Sequence, residues 1–244
     1  MKQSIFTVTE NAPLTSAVYR MRLAGDTKDV AAPGQFVNIR LEGLYLRRPI
    51  SVCDAVDGCL TLIYKAVGRG TERMASMRPG ERLDILTGLG NGYSLEGSGD
   101  HPLLLGGGVG VPPLYPLAKR LIAQGKQPQA VLGFNTAGEA FYAEEFDALG
   151  CRVTLVTADG SLGARGFVTD ALPNDYTYYY ACGPLPMLKA VYRACKGSGQ
   201  FSLEERMGCG FGACMGCSIQ TADGPRRVCK DGPVFNKEAL LWND

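Results

Sequence analysis

Four cysteines constrain this chain more than any other feature. Cys209-Gly210-Phe211-Gly212-Ala213-Cys214-Met215-Gly216-Cys217 is followed, after eleven intervening residues, by Cys229. This is C-x4-C-x2-C…C, the plant-type spacing for a 2Fe–2S cluster. Two irons need four thiolates: three wrap one tight loop and the fourth arrives from a distant turn. Gly210, Gly212 and Gly216 allow backbone N–H groups to turn toward the sulfurs, and such bonds tune the potential of a cluster. A structural zinc site is the competing reading. Four-cysteine zinc sites, however, usually pair C-x2-4-C with a second C-x2-4-C, and here Cys229 stands alone.

The other five cysteines are scattered, and with no apolar leader at the N-terminus they read as thiols rather than a disulfide framework. That places the chain in the cytoplasm as an expectation. Cys53, Cys59, Cys151 and Cys195 are most simply core or surface residues. A single histidine, His101, excludes sites built on two or more histidines. With 20% charged residues and a net charge of +1, no nucleic-acid footprint or polybasic membrane stretch stands out. Leu103 to Ala118, the most apolar region, is interrupted by four glycines and three prolines, which argues against a membrane span.

Residues 1–97 read as short strands separated by Gly, Pro and Asp, among them Ala17 to Leu23, Gln35 to Leu41, Cys59 to Val67 and Arg82 to Leu86. Such spacing predicts a small antiparallel barrel. After a Gly-rich linker at Leu95 to Asp100 the rhythm changes. Strands are expected at Leu103 to Leu105, Ala130 to Phe134, Val153 to Thr157 and Tyr178 to Ala181. Helical stripes at Leu114 to Ile122 and Glu144 to Leu149 lie between them, so 98–199 predicts a parallel α/β sheet. Residues 200–244 form a third segment, too short for an independent core without its metal.

Three further motifs carry chemistry. Arg48-Pro49-Ile50-Ser51 is expected to follow a strand, and Gly68-Arg69-Gly70-Thr71 to open a helix over Glu72 to Met77. A guanidinium grips phosphate bidentately, and amides at a helix start suit a second anionic group. Gly106-Gly107-Gly108-Val109-Gly110-Val111-Pro112-Pro113 lies between strand and helix, the context of a phosphate-binding turn, although Val111 holds the third glycine position of the strict fingerprint. No acidic ribose ligand is evident after Phe134. Cys182-Gly183-Pro184 follows the last strand; a buried structural cysteine is the alternative there.

Taken together these blocks resemble the ferredoxin–NADP reductase superfamily, and Arg-Pro-Ile-Ser is the form seen in its dihydroorotate dehydrogenase B branch. The resemblance spans nearly the whole chain. It implies a flavin-binding barrel (1–97), a nicotinamide-binding domain (98–199) and a cluster segment (200–244). FAD would be held by Arg48, Pro49, Ile50 and Ser51, by Ile63, Tyr64 and Lys65, and by Gly70 and Thr71. NAD would lie on Gly106, Gly107, Gly108 and Gly110, with Cys182 near the nicotinamide ring and Asp159 to Gly163 nearby. Ile50 stands where an aromatic usually stacks on the flavin. Asn135 and Thr136, rather than a basic pair, follow the second strand and favour NAD over NADP. The cluster ligands would be Cys209, Cys214, Cys217 and Cys229. In a related branch serving ferredoxin and sulfide chemistry an aspartate replaces the first ligand, so Cys209 favours dihydroorotate dehydrogenase B. The implied activity is an oxidoreductase subunit relaying electrons for pyrimidine biosynthesis to or from an FMN-containing catalytic chain, in a heterotetramer with two of each. A reductase module feeding ferredoxin, sulfur species or a hydrogenase is the alternative.

Overall fold

A computed structural model describes residues 1–242. Six antiparallel strands close a barrel in the order β1-β2-β5-β4-β3-β6. They are β1 (Lys2–Pro13), β2 (Val18–Ala24), β3 (Phe36–Arg40), β4 (Arg48–Val56), β5 (Cys59–Lys65) and β6 (Arg82–Leu89). Alternation selects the interior: Phe6, Val8, Met21, Leu23, Val37, Ile39, Leu60, Leu62, Leu83 and Ile85 share one buried core. Asp57 and Gly58 join β4 to β5 with φ of 49° and 76°, the left-handed pair that a two-residue hairpin requires. Arg48 opens β4 rather than following a strand, because the turn before it is made by 42–47. Between β5 and β6 lies helix α1 (Arg69–Ala75), which starts three residues earlier than its apolar pattern indicates.

The second unit is a seven-stranded sheet in the order β10-β9-β8-β7-β11-β12-β15. Its strands are β7 (Pro102–Gly107), β8 (Gln129–Phe134), β9 (Arg152–Thr157), β10 (Ala164–Arg165), β11 (Tyr178–Cys182), β12 (Gly199–Ser202) and β15 (Val234–Asn236). Helices α2 (Tyr115–Ala123), α3 (Ala143–Ala148) and α4 (Leu185–Ala194) connect them. All neighbours are parallel except β12 and β15. From β7 the chain builds outward first through β8 and β9, then on the other side through β11 and β12. The crevice between β7 and β11 is therefore the topological switch point, where open α/β sheets bind ligands.

The C-terminal segment does not stand apart. β12 and β15 are the edge of the sheet, and residues 203–233 are an excursion between them that carries a small hairpin, β13 (Ser218–Thr221) and β14 (Gly224–Arg227). Its core is borrowed: Leu203, Cys217, Val228 and Cys229 pack with Phe36 and Leu89 of the barrel and with Phe201 and Phe235 of the sheet. Trp242 closes this cluster, its ring 5.4 Å from that of Phe201. A segment of this length cannot bury enough apolar surface by itself, so it completes its interior with surfaces of both larger units. Among the described residues no helix is long and apolar enough to cross a membrane.

Candidate functional site

The two barrel motifs meet in space. A Cβ added to Gly70 would lie 2.2 Å from Arg48 Nε, so the arginine stem crosses α1 at the one residue without a side chain. The guanidinium is also held by the carbonyl of Leu46. Along β4, Arg48 to Ser51 are all half-exposed, whereas Val52 and Cys53 are buried. The result is an uncovered strip of barrel wall ending at a cation and a helix start. Backbone N–H groups of the first turn of α1 lack intrahelical acceptors, so that together with Arg48 they could hold phosphate. The Thr71 hydroxyl is engaged locally, accepting from the N–H of Val67 at 3.0 Å and donating to the Gly68 carbonyl at 3.2 Å. Both bonds tie the loop to the start of α1. Ile50 leans partly on the barrel core.

The three residues of β5 divide. Lys65 is exposed, and Ile63 is buried at the junction of barrel and sheet beside Tyr93, Leu104 and Cys182. Tyr64 lies between them on β5. Its ring packs with the barrel core and its hydroxyl donates to Asn11 Oδ1 at 3.0 Å. The period of two along a strand sends adjacent side chains to opposite faces, and barrel closure decides which is which.

At the switch point, the glycines after β7 have different tasks. A Cβ on Gly110 would lie 2.2 Å from the Cys182 carbonyl oxygen, one on Gly107 2.4 Å from Met187 Sδ, and one on Gly106 2.9 Å from a Val111 methyl. Gly110 and Gly107 permit close packing of the turn on β11 and α4, and Gly106 permits the chain to fold back on Val111. Gly108 alone combines a left-handed φ of +51° with open space around its missing side chain. Val111 is fully buried, so the third fingerprint position serves the core. The turn 108–110 packs against β5, which brings this crevice to the barrel wall.

Cys182 ends β11 opposite Gly106. Burial pushes its thiol up to about 12, opposed by hydrogen bonds with Ser202 and Tyr93. It is therefore a neutral thiol, suited to contact and positioning and unsuited to nucleophilic attack. After Phe134 residues 137–139 form a tight turn that folds back so that Asn135 Nδ2 donates to Glu139 Oε2 at 2.8 Å. The neighbouring Asp159 accepts from the Ser161 hydroxyl at 2.6 Å, and Ser161 Oγ accepts from the N–H of Ala137 at 2.7 Å. Two carboxylates thus stand at the ends of β8 and β9, where a ribose ligand is expected.

The four sequence-identified cysteines of the tail come together as two pairs. The N–H groups of Ala213 and Cys214 donate to Cys209 Sγ at 3.2 and 3.4 Å, and that of Cys209 donates to Cys214 Sγ at 3.4 Å. The N–H of Cys229 donates to Cys217 Sγ at 3.4 Å. Burial raises the Cys209 thiol, but backbone N–H groups of Phe211, Cys214 and Ala213 outweigh it and bring it down to about 6. Cys229 is pushed up to about 12, first by burial and then by its neighbour Cys217. No three Cys, His, Asp or Glu among the described residues converge to hold one metal ion. Two pairs of thiols are what two irons require, each taking two protein sulfurs, and N–H groups aimed at sulfur suit a thiolate-bound cluster. Arg227 braces the loop, donating to the Gly212 carbonyl at 2.7 Å while paired with Asp231 at 3.3 Å.

Comparison with known proteins agrees with this geometry. The family described as the iron–sulfur cluster binding domain of dihydroorotate dehydrogenase B matches residues 204–241, and the oxidoreductase NAD-binding domain family matches 104–193. The dihydroorotate dehydrogenase B (NAD(+)) electron transfer subunit of Shouchella clausii is 44% identical over 96% of this chain and 96% of its own length. The protein of the same name from Fusobacterium nucleatum is 43% identical, over 96% and 97%. Among solved structures, a chain of an NADH-dependent reduced ferredoxin–NADP oxidoreductase superposes with a TM-score of 0.89 at 30% identity, covering 98% of this chain and 90% of that one. A cytochrome P450 reductase from Amycolatopsis superposes over 79% of this chain and 65% of its own, with a TM-score of 0.70 at 25% identity.

Proposed function

The chain belongs to the family of dihydroorotate dehydrogenase B electron-transfer subunits, and from that premise we propose how its residues divide the work of carrying electrons between NAD and a catalytic partner. Bound FAD exchanges electrons with the nicotinamide in pairs and with the 2Fe–2S cluster singly, which neither of those groups can do for the other. Arg48 and the first turn of α1 hold the flavin phosphates, and the strip Pro49 to Ser51 receives the ring system. The turn at Gly108 and the end of β11 at Cys182 hold NAD at the switch point. Cys209, Cys214, Cys217 and Cys229 hold the cluster. None of these residues must act as general acid or base.

The observation that supports this division most strongly is the order of contacts. The glycine turn packs against β5 on one side of the barrel, and β3 holds the cysteine loop through Asn38. The barrel therefore stands between nicotinamide crevice and cluster, where a flavin relay belongs. Glu139 and Asp159 favour NAD, because a 2′-phosphate would face two carboxylates. Anaerobic stopped-flow reduction of the yellow-brown protein by NADH and NADPH tests this, with NADH expected to reduce the flavin much faster. Preference for NADPH rejects the assignment, and protein lacking flavin and iron rejects the relay.

Dihydroorotate oxidation takes place on a partner carrying FMN, two copies of each chain forming the assembly; the five cysteines outside the cluster set are unpaired thiols, which favours the cytoplasm. Cys214 is exposed, and beside it Phe211 and Met215 are 44% and 53% exposed. Apolar side chains around a cluster ligand suit a docking patch. Changing both Phe211 and Met215 to Asp is expected to abolish co-purification of the catalytic chain while leaving NADH reduction of FAD and cluster intact. Undiminished co-purification would place the interface elsewhere. The likeness to the NADH-dependent ferredoxin–NADP oxidoreductase chain supports a second reading, in which the partner is a ferredoxin-linked enzyme. The identity of the co-purifying chain decides between them.

A further inference from the structure

We propose that Asn38 is a positioning residue that ties the cluster loop to the flavin-binding strands and so governs electron passage between the two cofactors. The inference rests on the relay just described and deepens it. Asn38 lies in β3, paired with Pro49 of the flavin motif on β4 and with Leu86 on β6. Its neighbours Val37 and Ile39 fill the barrel, so Asn38 faces outward with Phe36, under the cysteine segment. It is 1% exposed, and its Nδ2 donates to the carbonyl of Cys209 at 3.0 Å.

The fit from the other side is equally close. A Cβ on Gly210 would lie 2.2 Å from Asn38 Nδ2, and Gly210 itself has a φ of +78°. The loop thus bends onto the amide at the residue directly after the first cluster ligand. The amide orientation follows from its partner, since only an NH2 group can face a carbonyl. That leaves Oδ1 buried without a hydrogen-bond partner among the described residues. An unmet buried acceptor is costly, and an apolar side chain would avoid the cost. The amide is therefore in a place where packing alone would favour leucine, and what it offers in return is the bond to Cys209.

The backbone of Asn38 is pinned as well. Its carbonyl accepts from Arg47 Nη1 at 3.2 Å, and Arg47 is paired with Asp84 at 3.0 Å. Arg47 precedes Arg48, so one continuous set of contacts runs from the flavin phosphate cradle through Arg47 and Asn38 to the Cys209 loop. Three elements distant in sequence are held at one separation by this set. Electron transfer depends steeply on such a separation, and a carbonyl bonded beside a ligand also alters the field at the cluster.

Asn38→Leu and Asn38→Asp in the full-length protein test the inference. Leucine removes the bond while keeping the volume, and aspartate turns a carboxylate toward the Cys209 carbonyl. Flavin reduction by NADH, followed by stopped flow, is expected to be unchanged in both. Subsequent reduction of the cluster is expected to slow severalfold, with an altered electron paramagnetic resonance spectrum, and with a lowered midpoint potential in the aspartate variant. Loss of the cluster with FAD retained supports the tie too, because the Asn38 side chain bonds to the Cys209 carbonyl and not to a sulfur. Cluster reduction and spectrum identical to those of the unaltered protein overturn it, as does loss of FAD together with the cluster. Unaltered protein without flavin or iron sinks the relay instead, and this inference with it.

Discussion

Cys214→Ser is expected to stop electron delivery beyond the flavin while leaving FAD bound and reducible by NADH. Cys214 is exposed at the tip of the loop and contributes nothing to a buried core, so its replacement removes a ligand without opening a cavity. Substitutions one shell away from a metal already reduce affinity by about 10–100-fold, and loss of a thiolate exceeds that. The expected result is bleached iron–sulfur absorption, intact flavin bands and transfer to the partner reduced by at least about a hundredfold. Cys229→Ser should do this and more. Cys229 is 2% exposed and packs with Phe36 and Phe235, so a hydroxyl there also breaks packing shared by all three segments. Its melting temperature should fall below that of Cys214→Ser, since burying a hydroxyl without a partner costs about 1–3 kcal/mol. Undiminished delivery in the Cys214 variant removes this residue from the ligand set.

Arg48→Ala is expected to weaken FAD binding by about 10–150-fold, the equivalent of about 1.5–3 kcal/mol for hydrogen bonds to a charged group. Gly70→Ala should weaken it as well, by forcing the Arg48 stem away from a position 2.2 Å from the new methyl. The informative variant is the pair. Once Arg48 has been cut back, the three atoms nearest the methyl at Gly70 are gone, and alanine favours the helix by about 1 kcal/mol over glycine. The two changes together should therefore cost no more than Arg48→Ala alone. Such non-additivity marks residues that act in contact. Flavin fluorescence on dilution of each holoprotein measures it. Additive losses would mean that Gly70 meets the phosphate directly and that the contact with Arg48 is incidental.

Legibility in the sequence followed the range of the interaction. The cysteine ligands could be read because three of them lie within nine consecutive residues, and the structure supplies the pairing Cys209 with Cys214 and Cys217 with Cys229. Arg48 and the Gly70 turn could be read as separate anion-binding motifs, but not that one passes over the other. Which face the Tyr64 ring takes could not be read, because its run fits either register until β2 and β4 pair with β5. Glu139 was hidden by a tight turn after β8. Asn38 gave no sign at all, since its partner is 171 residues away and an isolated Asn in a strand has many uses.

The chain alone therefore determined which chemistries are present: thiolates at cluster spacing, a cation with glycine turns for phosphates, and alternation that demands a barrel and then a parallel sheet. These are matters of residue type and short-range geometry, legible wherever the chain is continuous. Only the folded protein decided which face each strand residue takes, that β12 and β15 draw the tail into the sheet, and that β3 holds the cysteine loop. Those outcomes depend on burying apolar surface between segments far apart in the chain. No local pattern records which distant surface will cover it.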